Sequence, residues 1–158
     1  MDTKILFYKL YKGEVQPVDY VNWATQMLRE GISTHSLNIL ASLKEPLNIF
    51  EVEDYFKRAS KELNLKESTK EESAQFYITY LLKTIIENKN NSICVAYEIY
   101  EIVREHVSSE EPSIWFEISE MIDDYRYGDN KAMITEDILI NKIGEIAKKQ
   151  LQSNSLFN

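Results

Sequence analysis

Four glycines and three prolines in 158 residues leave little material for tight turns between strands. Between these few breakers, apolar residues recur at three- and four-residue spacing almost everywhere, the period of a helix with one buried face. The chain therefore reads as all-α. We expect a single compact domain over residues 1–151 and a frayed tail over 152–158. About seven short-to-medium helices, joined by loops of about two to eight residues, should form antiparallel hairpins in a bundle or short solenoid-like stack.

The punctuation places the elements. A first helix covers 3–12 and stops at Gly13, with a strand as the alternative because Ile5, Leu6, Phe7 and Tyr8 are also β-prone. A second runs over 17–30, with Pro17 in its first turn, Gly31 at its end, and Tyr20, Trp23, Ala24, Met27 and Leu28 inward. Ser33 or Thr34 opens a short helix to about 43, and Pro46 separates it from the next. Asn48 with Glu51 then forms a capping pattern ahead of Ile49, Val52, Phe56, Ala59 and Leu63, the clearest amphipathic stripe in the chain. Ser68 with Glu71 repeats the pattern before a helix to 87, and Ser92 caps one to 106. Residues 109–112 begin a helix to 125, 126–134 form a long loop, and Thr135 opens the last helix.

Composition excludes several functions. Eighteen Lys and Arg face 26 Asp and Glu, for a net charge of −8, and the pI is near 4.9. Binding to nucleic acid draws its affinity from clustered cations that neutralise phosphate, so no nucleic-acid partner is expected. The longest apolar runs fall far short of the roughly 20 residues that span a bilayer, so no membrane segment is expected. The N-terminal residues lack a secretory h-region and cleavage site, and the single cysteine, Cys94, lies among Ile93, Val95 and Ala96 as a small buried thiol. A cytoplasmic location follows from these readings. Lys outnumbers Arg by fourteen to four, and Ile and Asn are abundant, a usage suggestive of an AT-rich bacterial genome.

Catalytic motifs are missing. No glycine-rich phosphate loop, dinucleotide fingerprint or nucleophile elbow occurs. His35 and His106 stand 71 positions apart, and neither has the i, i+3 or i, i+4 partner of a helical metal site. His106 reads as a cation favoured by a helix C-terminus. Neither a catalytic residue nor a cofactor or metal is assigned.

The acids are unevenly placed. Between residues 92 and 124 stand Glu98, Glu101, Glu105, Glu110, Glu111, Glu117, Glu120, Asp123 and Asp124, against a single base, Arg104. Removing those nine acids and one base from the totals leaves seventeen of each sign, so this segment carries the whole net charge. On a helical wheel Glu98, Glu101 and Glu105 form a narrow ridge on a mostly apolar, central helix. In the next helix Ile114, Ile118, Met121, Ile122 and Tyr125 point inward, while Glu117, Glu120, Asp123 and Asp124 spread over the opposite arc around Phe116. An ordinary solvated face is the plain alternative. Against it, like charges at i, i+3 and i+4 repel, and the interleaved Lys present in other helices is absent here.

These residues lead to an expected function: a small acidic protein-binding domain whose face at Glu98, Glu101, Glu105, Phe116, Glu117, Glu120, Asp123 and Asp124 docks a basic protein partner. Phe116, with Trp115 or a nearby Tyr, is the apolar anchor. In size, charge and helix content, though through no motif, the chain resembles bacterial toxin-immunity proteins, and that resemblance implies masking of a basic toxin. The alternatives are an enzyme or ligand carrier with a pocket near Tyr97 and Tyr100, using a carboxylate as general base, and a homodimeric scaffold.

Overall fold

The computed structural model describes residues 1–106, 113–130 and 132–153. It is all-α, with no strand among the described residues. The elements are α1 (Thr3–Lys12), α2 (Pro17–Arg29), α3 (His35–Ser42), α4 (Ile49–Glu62), α5 (Lys70–Glu87), a 3₁₀ turn (Lys89–Asn91), α6 (Ser92–His106), α7 (Ile114–Tyr127) and α8 (Glu136–Ser153). The β-prone start is helical because its ends are capped: Lys4 N–H donates to Asp2 Oδ1 at 2.8 Å, and Gly13 adopts φ 69°.

Packing divides the chain into two compact units, 1–73 and 74–158. In the first, α3 packs on α2 and α4, and α1 packs on α2. Its core includes Leu6, Phe7, Tyr20, Trp23, Leu37, Leu40, Val52 and Phe56. Phe56 is the hub: its ring lies 5.0 Å from Trp23, 5.2 Å from Tyr20 and 6.2 Å from Phe7, in the tilted and edge-on arrangements that ring quadrupoles favour. Trp23 Nε1–H reaches Thr3 Oγ1 at 2.9 Å, so burial of the indole leaves no unmet donor. Asp19, itself buried, accepts from Lys9 Nζ at 2.8 Å and from Gln16 N–H at 2.9 Å, tying α1 to the first turn of α2.

In the second unit α6 is central, packing on α7, on α8 and on the 3₁₀ turn, while α7 also packs on α8. Its buried residues Ile93, Val95, Ala96, Ile99, Ile102 and Val103 cover the apolar arc that the sequence implies.

Several boundaries differ from expectation for local reasons. The capping box of α5 is built one residue later than Ser68 and Glu71: Glu72 N–H donates to Thr69 Oγ1 at 3.1 Å and Thr69 N–H to Glu72 Oε2 at 3.2 Å. Ser68 instead shares a 2.6 Å hydrogen bond with Ser73. Ser92 is not a cap, because the 3₁₀ turn precedes it and its hydroxyl is buried without a partner. The start expected at 109–112 lies outside the described residues; α7 begins at Ile114 behind Ser113, whose Oγ accepts from Phe116 N–H at 3.3 Å. α7 also takes Arg126 and Tyr127 from the expected loop. Farther along that segment, the Asn130 amide side chain pairs with both N–H and C=O of Ile134 at 2.7 and 2.9 Å. α8 extends through Gln152 and Ser153, and the remainder of the expected tail, 154–158, lies outside the described residues.

Candidate functional site

The acidic residues of α6 and α7 do not share one environment. On the wheel Glu98 lies about 40° from buried Ile102, so its side chain is half-buried. Its Oε1 accepts from Tyr77 Oη–H at 2.7 Å, which ties the carboxylate to α5. Glu101 is exposed. Glu105, also exposed, has Oε1 3.9 Å from His106 Nε2. Glu117 and Glu120 are exposed on α7, and Asp123 and Asp124 are half-buried. Glu110 and Glu111 lie outside the described residues.

An aromatic strip adjoins these acids. Phe116, 39% exposed, has its ring centre 6.2 Å from that of Tyr100, and Tyr100 meets Tyr97 edge-on at 5.8 Å. The Arg104 guanidinium lies over the Tyr100 ring at 5.4 Å. The one base of the segment is thus stacked on an aromatic face. Asp123 of α7 is the largest influence raising the Tyr97 hydroxyl above its ordinary pKa; burial and Glu101 of α6 add to it, and Arg104 opposes. Acids of both helices therefore act on one phenol. A joined acidic and aromatic patch of this kind can attract a cation and offer it a ring face.

Two readings need correction. Trp115 is core, not a surface anchor: it is 2% exposed and its Nε1–H donates to Gln150 Oε1 of α8 at 2.9 Å. Burying the largest side chain rotates the inward face of α7 to Trp115, Ile118, Ser119 and Ile122, leaving Ile114, Met121 and Tyr125 half-buried. Cys94 is exposed, because neighbours at i±1 stand about 100° away on a helix and do not share its face. His106 stands in the last turn of α6, where the sequence places it, and its side chain is 4% exposed.

Sequence reading missed the Glu62 site. In the 1–73 unit Glu62, at the end of α4, accepts from Ser36 Oγ at 2.6 Å and Ser36 N–H at 3.0 Å, so a carboxylate caps the first turn of α3. Ser36 and Glu62 are 26 positions apart, a pairing that no local pattern signals.

Among the described residues no three His, Cys, Asp or Glu side chains converge to hold a metal ion, and no helix is long and apolar enough to cross a membrane. The fold places the chain among all-α proteins; no known family, curated protein or solved structure matches it.

Proposed function

We propose that the chain is a cytoplasmic protein-binding domain that docks a basic protein partner through α6 and α7, in the manner of a bacterial toxin-immunity protein. The observation that carries this reading is the placement of charge: the entire net −8 belongs to residues 92–124, and the exposed Glu117 and Glu120 stand beside the half-open ring of Phe116. Charge so concentrated accelerates encounter with a cationic surface, while a supported aromatic ring supplies the short-range anchor. Glu101 and Asp123 extend the face at Tyr97, and Arg104 on Tyr100 occupies a position that a partner's arginine could take. Glu98, bound to Tyr77, contributes field rather than direct contact.

The test is capture from a lysate of the source cells on immobilised wild type and E117K/E120K, at low and high salt. A basic protein held by wild type, released by salt and lost from the double variant supports the reading. Identical captured proteins on both surfaces contradict it. Light scattering of wild type and Phe116→Ala addresses the competing homodimer: a concentration-dependent dimer abolished by the substitution would assign the ring to self-association.

A further inference from the structure

We propose that a cavity at the C-terminal end of α4 binds a small carboxylate bearing an aromatic ring. The cavity, of about 560 Å³, lies wholly within the 1–73 unit. That volume suits a small-molecule site.

Its charge comes from Lys57 and Lys61. Four residues apart, they share a helix face and repel each other, and neither has an ion-pair partner among the described residues. A bound anion relieves that repulsion. A helix C-terminus ordinarily disfavours anions through its open carbonyls, but here they are taken up. Leu65 N–H donates to Ser60 O at 2.9 Å and Asn64 N–H to Lys61 O at 3.1 Å, with Asn64 left-handed at φ 50°. The negative end of the helix is thereby blunted, and Asn64 also lines the cavity.

The apolar part of the ligand is set by Phe7 and Phe56, which also line the cavity and meet edge-on. Phe56 is braced by Tyr20 and Trp23, so this apolar lining is preformed, although Phe7 and Phe56 are only 5% and 7% exposed and present little of their rings to a ligand. Glu67, also in the lining, disfavours a second negative charge and selects a monoanion over a phosphate dianion.

The experiment is an amide NMR titration of the full chain with 3-phenylpropionate, with its neutral amide and with inorganic phosphate. Saturable shifts confined to residues near 56–67 are expected for the carboxylate. Affinity should fall at least about tenfold for the amide, for phosphate and for the K57A/K61A variant. Both lysines are exposed and Ala favours helix, so this variant keeps its fold, which far-UV circular dichroism verifies. The proposal is overturned by an absence of saturable shifts up to about 10 mM. It is equally overturned if the amide or phosphate binds as tightly as the carboxylate, or if K57A/K61A binds unchanged.

Discussion

Trp115 and Phe116 are adjacent in sequence and opposite in environment, so truncating each to Ala separates core from surface. An aromatic side chain buries about 150–250 Å². For Trp115, 2% exposed, the upper figure at ~25 cal/mol per Å² gives ~6 kcal/mol. That is an upper bound because the denatured chain is itself partly compact. Core Trp→Ala changes cost ~3–5 kcal/mol, and about 4 is expected here. Phe116 is 39% exposed, so about 120 Å² of a typical ~200 Å² is covered, or ~3 kcal/mol on the same scale. Ala keeps the Cβ and gains about half a kcal/mol of helix propensity, leaving about 1–2 kcal/mol. The remaining ~80 Å² of ring can contribute ~2 kcal/mol to a partner, or ~30-fold in Kd. Urea denaturation followed by circular dichroism measures both variants. Trp115→Ala should cost at least about twice as much as Phe116→Ala. Equal costs would refute the reasoning, because Phe116 would then be core and unable to serve as an anchor.

Hydrogen bonds from Ser36, then from Thr34, hold the Glu62 carboxyl below its ordinary pKa, with burial opposing. A depressed folded pKa contributes stability that is present above the unfolded value and lost as pH falls through the folded one. Wild type should therefore lose urea resistance on acidification below about pH 4.5 more steeply than Glu62→Gln, and superimposable profiles would contradict this. A Cβ at Gly128 would come within 2.9 Å of the Asp124 backbone, whereas one at Gly144 in α8 meets nothing within 4 Å. Gly128→Ala should destabilise by ~1–3 kcal/mol and Gly144→Ala should stabilise by up to ~1 kcal/mol, read from denaturation midpoints. Cys94, being exposed, should react fully with a thiol reagent in the native protein without denaturant.

The helices were largely legible because their signals are local: apolar period, Gly13 and Gly31 as stops, and Asn48 as a cap with Oδ1 2.9 Å from Phe50 N. What was not legible depended on competition between neighbouring positions. Thr69 and Ser68 both precede a glutamate by three, and only the backbone path decides which pair closes the box. Ile114 and Trp115 both suit an inward position, and the hydrogen bond to Gln150, 35 residues away, fixes the rotation of α7. The acidic segment itself could be located by counting. Its division into Glu98 tied to Tyr77, Glu101 and Asp123 acting on Tyr97, and exposed Glu117 and Glu120 required the packing of α5, α6 and α7.

The placement of charge, rather than its amount, is the central claim, and the association rate of the captured basic partner tests it most directly. The rate should be measured against ionic strength for wild type, E117K/E120K and E14K/E145K, the last reversing two exposed glutamates outside 92–124 by the same total charge. The account predicts a wild-type rate that falls about tenfold or more from ~20 to ~300 mM salt, as screening shortens the reach of the field. E117K/E120K should be slow and nearly salt-independent, and E14K/E145K close to wild type. Equal losses in the two double variants would contradict it, because the rate would then follow net charge and not the α6 and α7 face.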